Sequence, residues 1–260
     1  MTSEERAIHF SLREDNREQQ FSQVWVEELD DVFSDVARYY DRANHVASLG
    51  LWNWLRDRFI SSIDVQSGQN VLDVCAGTNA IGIALLAKQP GLHVHAMDRS
   101  KAMQEVGQQV AKKRGMQIDS TIGDVHTLPF PDNHFDVVTL QYASRHLRIM
   151  KVCREIRRVL KPGGHFYHCD MLRPANKIVE TCYYAYLRLC LNFTGLLFRS
   201  SASAHACKKY FINALRMFYS ADELSDMLRD VGFVEVSSQT LLSGMIGYHS
   251  AMKPHDGTDE

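Results

Sequence analysis

Asp73, Gly77 and Thr78 stand in one short run, Val71-Leu72-Asp73-Val74-Cys75-Ala76-Gly77-Thr78-Asn79, and Asp98 follows about one βα unit later. The apolar start of the run reads as a buried strand, its middle as a tight turn, and Ala80 to Lys88 as a helix. Gly77 has no Cβ, so the backbone there can pass close to a ligand. Asn79 sits where such loops often carry a further glycine, and Asn tolerates positive φ better than most residues. A second apolar strand, His93 to Met97, ends in Asp98, whose carboxylate can accept both hydroxyls of a ribose. Nicotinamide enzymes rest a pyrophosphate on a helix N-terminus through G-x-G-x-x-G, and that pattern is absent from this loop. The acid-first loop suits a nucleoside without phosphates, and Asp73 can meet a cationic amino-acid moiety. S-adenosylmethionine carries both groups. The same residues would also serve a purely structural strand–turn–helix in any doubly wound protein.

The elements that must position these residues alternate along the chain. Strands are expected at about 70–75, 93–97, 118–122, 135–141 and 164–169, with helices between them. Turn signals separate them at Gln89-Pro90-Gly91, Lys113-Arg114-Gly115, Pro131-Asp132-Asn133 and Lys161-Pro162-Gly163-Gly164. Before them, Phe21 to Tyr40 and Leu51 to Ile63 read as amphipathic helices, while residues 1–20 are charged and expected to be loose. A helical insert spans about 175–217. A last helix, Ala221 to Val231, opens with the capping box Ser220-Ala-Asp-Glu223 and stops at Gly232. Two final strands, Phe233–Gln239 and Met245–Met252, would form an antiparallel hairpin at the sheet edge. The expected architecture is α/β: a doubly wound, seven-stranded, mostly parallel sheet in one domain over residues 1–260.

Composition narrows the function classes. A formal charge of −2 argues against a nucleic-acid partner, which calls for a basic face. The six cysteines (75, 153, 169, 182, 190, 207) show no C-x-x-C or paired spacing, which points to reduced thiols in a cytoplasmic compartment. No run of eighteen apolar residues is present to span a bilayer, and the Glu/Arg-rich start resembles no targeting peptide.

Several blocks together carry a family resemblance. They are Val32-Phe33-Ser34-Asp35-Val36-Ala37-Arg38-Tyr39-Tyr40-Asp41; Gly50-Leu51-Trp52 with Trp54 and Arg56; Gly123-Asp124; Leu128-Pro129-Phe130-Pro131-Asp132-Asn133 with Phe135-Asp136; and Leu160-Lys161-Pro162-Gly163-Gly164. Further blocks are Lys209-Tyr210, Arg216, Phe218 and the ending Gly244 to Lys253. From about Val32 to Lys253 the chain resembles the class I S-adenosylmethionine-dependent methyltransferases, specifically the C-methyltransferases of demethylmenaquinone and the ubiquinone precursor. The resemblance implies a Rossmann-like methyltransferase fold with a helical substrate lid. It implies S-adenosyl-L-methionine as cofactor, with Gly77 and Thr78 at its methionine end and Asp98 on the ribose. Asp124 would face the adenine amino group, Val125 its ring, and Gln141 and Tyr142 the reactive sulfur. Asp73, Cys75, Asn79, Arg99 and Gly123 complete the expected cofactor set. Without the resemblance, Asp124 reads equally well as a helix N-cap. Tyr40, Tyr184, Tyr210 and Arg216 are the expected substrate contacts.

The catalytic block departs from the family, which usually shows Arg-Asn where this chain has Arg145-His146. Methylating a ring carbon needs a hydroquinone that has lost, or nearly lost, a phenolic proton. Arg145 is effectively always protonated, so it suits oxyanion stabilisation or polarising a water better than base chemistry. His146 could take the proton, or could simply face solvent at a helix start. Asp170, at the end of the fifth strand, could orient substrate or His146, or cap the following turn. His165, His168, Cys169 and Asp170 look like metal ligands on paper, but strand residues three apart face opposite ways, so no metal is expected. Cys182 to Phe198 is nearly all apolar or aromatic with Arg188 its only charge, which suits a tunnel for an isoprenoid tail or a core or dimer helix. The partners expected are therefore a lipid-tailed quinone, peripheral contact with a membrane face, and a second copy in a homodimer. A methyltransferase for another small acceptor, and a non-catalytic cofactor-binding paralogue, remain alternatives.

Overall fold

The first strand shows why the sheet forms. Val71, Leu72 and Val74 of β1 (Asn70–Val74) are fully buried, because helices cover both faces and no polar alternation is needed. Leu72 and Val74 join the core on one side of the sheet and Val71 the core on the other. In the computed structural model of the protein, residues 3–197 and 208–255 are described. Phe198 of the apolar run and Cys207 lie outside them.

After β1 come α5 (Ala80–Lys88), β2 (His93–Asp98), α6 (Lys101–Lys113), β3 (Asp119–Ile122), β4 (Phe135–Gln141), α7 (Ile149–Val159) and β5 (Leu160–Met171). Four helices precede β1: α1 (Ser3–Gln23), α2 (Leu29–Val36), α3 (Tyr40–Ala47) and α4 (Trp52–Ser62). Following β5 are α8 (Lys177–Leu197), α9 (Lys208–Arg216), α10 (Ala221–Asp230), β6 (Val234–Leu241) and β7 (Ile246–Met252). The seven strands run in the order β3-β2-β1-β4-β5-β7-β6. The first five are parallel, and β7 enters antiparallel between β5 and β6. The strand order reverses between β1 and β4, which opens a crevice at their carboxyl ends.

The expected α/β architecture and its antiparallel ending are present. The helix Ala80–Lys88 and the Ser220–Glu223 capping box form as read. Other expectations need correction. Residues 1–20 are not loose over their described part: α1 is a 21-residue helix. It buries Phe10, Glu14, Arg17 and Phe21, spaced four, three and four apart on one face. Two of those four are charged, which hid the face from an apolar count. The single helix expected from Phe21 to Tyr40 is divided: a π-helical turn, Val24–Glu28, links α1 to α2. β5 starts four residues earlier than expected, because its Lys-Pro-Gly-Gly segment continues the strand beyond its pairing at Leu160. The expected antiparallel hairpin is present at one sheet edge, with β6 outermost and β7 against β5.

Candidate active site

The loop after β1 takes two sharp turns. Cys75, Gly77 and Asn79 all have positive φ, of 55°, 51° and 58°. Asn79 is the left-handed residue that starts α5, so the loop keeps its turn without a second glycine. Gly77 donates its N–H to Asp98 Oδ2 at 2.8 Å, and Ser100 donates to Oδ1 at 2.8 Å. Asp98 thus ties the β1 loop to the β2 loop and aims its carboxylate into the crevice. Tyr142, just past β4, also has positive φ, at 53°, and its N–H donates to Cys169 of β5. Such strained positions gather where a loop must present side chains to a ligand.

These loops enclose a cavity of about 370 Å³. Asp73, Cys75, Gly77, Thr78, Asp98, Arg99, Gly123, Asp124, Val125, Gln141 and Tyr142 all line it. Asn79 does not. Its side chain is fully buried under the loop, where Oδ1 accepts from Gln104 Nε2 at 2.7 Å, so it shapes the site without facing the ligand. Asp124 accepts from the backbone and ring nitrogens of His126, which hold its carboxyl below the usual range. Asp73 accepts from Thr139 Oγ1 at 2.7 Å, while its Oδ2 has no partner. Burial pushes the Asp73 carboxyl up to about 7. Gln141 Nε2 is likewise buried without a partner. An unsatisfied acid and an unsatisfied amide in one polar cleft fit an amino-acid moiety bearing both an ammonium and a carboxylate. The residues present therefore suit S-adenosylmethionine.

A second cavity, of about 640 Å³, is lined mainly by apolar and aromatic residues from α3, α4, α8 and the turn before β7. Tyr40, Trp52 and Tyr142 line both cavities, so the two meet at these rings. Trp52 stacks on Tyr142 with centroids 5.0 Å apart. Tyr183, Tyr186 and Leu187 of α8 form one wall, and Tyr186 is anchored to the Ala47 carbonyl.

The turn 143–146 stands behind this junction. Asp170 is fully buried; it accepts from the Ser144 N–H at 2.8 Å and from Arg145 at 2.6 Å. It orients the turn and pairs with Arg145, not with His146. Burial raises the Asp170 carboxyl and the Arg145 charge opposes that rise. Arg145 lines the second cavity, His146 the first. Of the expected substrate contacts, Tyr40 sits at the junction. Tyr210 is buried behind His146 and lines neither cavity. Tyr184 and Arg216 also line neither; the guanidinium packs over the tyrosine ring at 4.9 Å. His168 bonds Ser144 and His249, and no cluster with metal-ligand geometry occurs among the described residues.

Sequence reading missed the contribution of the N-terminal helices. Arg17 donates to the Arg145 carbonyl at 2.8 Å, and Trp25, Leu29 and Phe33 close the first cavity. The apolar spacing of Trp25, Leu29 and Phe33 was visible, but as the inner face of a helix.

A Rossmann-like sheet with this loop chemistry and this strand order defines a class I S-adenosylmethionine-dependent methyltransferase. Residues 19–253 match the ubiE/COQ5 methyltransferase family, and the chain belongs to it. It is similar to a demethylmenaquinone methyltransferase of Anoxybacillus flavithermus, 35% identical over 226 residues that cover 86% of this chain and 94% of the relative. A ubiquinone/menaquinone biosynthesis C-methyltransferase of Pseudomonas putida is 32% identical over 86% of this chain and 88% of its own. Among solved structures, a phosphoethanolamine N-methyltransferase of Haemonchus contortus in complex with S-adenosyl-L-methionine superposes with a TM-score of 0.58 at 17% identity, covering 79% of this chain and 53% of that one. A methyltransferase from Aquifex aeolicus gives 0.53 at 18% identity over 76% and 89%. These likenesses establish the fold.

Proposed function

We propose that the protein methylates a ring carbon of a prenylated hydroquinone, with the cofactor in the first cavity, the acceptor ring at its junction with the second, and the tail in the second. The observation that carries this reading is the junction at Tyr40, Trp52 and Tyr142, where a cleft lined by Asp73, Asp98 and Asp124 meets an apolar chamber of nearly twice its volume. The names of the curated relatives agree with a quinone-type acceptor.

Bound S-adenosylmethionine supplies an electrophilic methyl group on a sulfonium centre. The protein's own residues place the ring carbon in line with it, at about 3 to 3.5 Å. The aromatic rings at the junction hold a flat acceptor against the cofactor cleft. Arg145, held in place by Asp170, offers guanidinium N–H donors to the developing phenolate. The second cavity takes the start of the tail.

The rim of that cavity supports delivery from a lipid surface. Leu49, Leu51, Ile178 and Leu242 line it and are also exposed. Along α8, Ile178, Cys182, Ala185, Leu189 and Phe193 are all exposed and fall on one face by helical spacing. Such a stripe suits shallow insertion into a membrane interface. No helix among the described residues is long and apolar enough to cross a membrane.

Quinone analysis of a strain lacking the protein tests the reading. Accumulation of a quinone short of one methyl is expected, with restoration by the wild-type chain. A normal quinone pool would overturn it.

A further inference from the structure

Three buried groups from distant parts of the chain meet behind the wall of the first cavity. Trp25 Nε1 donates to the Tyr210 hydroxyl at 2.8 Å, and that hydroxyl lies 2.5 Å from His146 Nδ1. An indole nitrogen only donates, so one lone pair of the phenol oxygen is committed to Trp25. The imidazole is buried, and both its burial and the nearby Arg145 and Arg17 guanidiniums hold it neutral, well below the usual histidine range. A neutral imidazole has one N–H and one bare nitrogen. With the phenol proton directed at Nδ1, every group in the chain is satisfied in one sense: indole to phenol, phenol to imidazole. The imidazole proton then resides on Nε2. That atom is buried without a partner, on a side chain that lines the cavity. A buried polar atom without a partner points to a group that arrives with a ligand.

Resting on the function proposed above, we infer that His146 is a fixed hydrogen-bond donor, through Nε2–H, to an oxygen of the acceptor ring, with Trp25 and Tyr210 as positioning residues that set its tautomer. In that state His146 cannot accept the phenolic proton. It stabilises the negative charge that builds on the ring oxygen, beside Arg145. The charged and titratable groups around the imidazole are Arg145, Arg17 and Tyr210; its other ring neighbours, Phe33 and Phe211, carry no charge.

The test combines nitrogen NMR of full-length, ¹⁵N-histidine-labelled protein with kinetics of variants. His146 is assigned by the signals missing from His146→Asn. The wild type should show the Nε2–H tautomer, and Tyr210→Phe should lose that preference. Asn offers an N–H donor and no base, so His146→Asn should keep kcat within about tenfold of wild type. His146→Leu should lower kcat by about 10²-fold, the effect of removing one preorganised donor. Calorimetry should show S-adenosylhomocysteine binding unchanged in all variants. An Nδ1–H tautomer in the wild type would overturn the inference. So would His146→Asn as inactive as His146→Leu with the acidic limb of the pH profile abolished, which identifies a base. A tenfold loss of S-adenosylhomocysteine affinity in His146→Leu would also overturn it, by assigning the donor to the cofactor. The tautomer measurement needs no acceptor, so a protein that methylates no hydroquinone loses only the functional reading.

Discussion

The two cavities are built in opposite ways. The first is made by short loops at the carboxyl ends of neighbouring strands, closed over by the N-terminal helices, and each loop contributes several sequence neighbours to the lining. The second is made by helix faces and turns from three distant stretches of the chain: α3 to α4, α8, and residues 242–246. Recognition in the first rests on a few directional bonds, so single polar substitutions should be costly. Recognition in the second rests on apolar area, so its residues should tolerate conservative exchange and fail when charged.

The sharpest contrast comes from Asp98. Asp98→Ala removes the proposed acceptor for the ribose and the tie to Gly77, so S-adenosylhomocysteine affinity should fall by about 1.5 to 3 kcal/mol, roughly 10- to 150-fold, by calorimetry. Affinity within twofold of wild type would take Asp98 out of the site. On the other side, Leu187→Asp places a charge in the apolar wall. It should cut kcat/KM for a long-tailed hydroquinone by about tenfold or more, while a tail-less analogue changes little. Equal losses on both would show that the second cavity holds no tail.

Asp73 sharpens the comparison through pH. Its folded-state pKa is raised to about 7, so the ligand-free protein holds a proton that the unfolded chain releases near pH 4. The stability this lends is fully present below pH 4 and is lost as pH rises through about 7. A cationic ligand favours the carboxylate, so cofactor affinity should rise as pH climbs from 5.5 towards 7, by at most about tenfold per unit. Asp73→Asn should flatten both the affinity and the stability profiles over that window. The smallest effect expected lies on the rim. Leu189→Ser with Phe193→Ser should weaken sedimentation with anionic vesicles several-fold, and leave turnover of a soluble analogue unchanged. Unchanged sedimentation would leave α8 with no role at a lipid surface.

Legibility divided along the same line. The strand–turn–helix at 71–88 was readable, and Asp98, Asp124, Gln141 and Tyr142 line the first cavity, because a βα loop places neighbouring residues by local geometry. Asn79 lies outside the cavity lining, and its αL conformation and its buried amide bond to Gln104 leave the same mark in sequence as a ligand contact. Tyr184 and Arg216 line neither cavity, because aromatic and basic residues on neighbouring helices pair with each other as readily as with a substrate.

Apolar periodicity, turn residues and acid positions determined the alternation of strands and helices, the doubly wound sheet and the cofactor loops, since each depends on residues a few positions apart. Only the tertiary structure brought Trp25 to Tyr210 across 185 positions and Arg17 to the turn at Arg145 across 128. It also decided that Asp170 serves Arg145 and that His146 answers to Tyr210. Such pairings depend on how whole helices dock on the sheet, and a polar side chain on a helix carries no local mark of the partner it will meet.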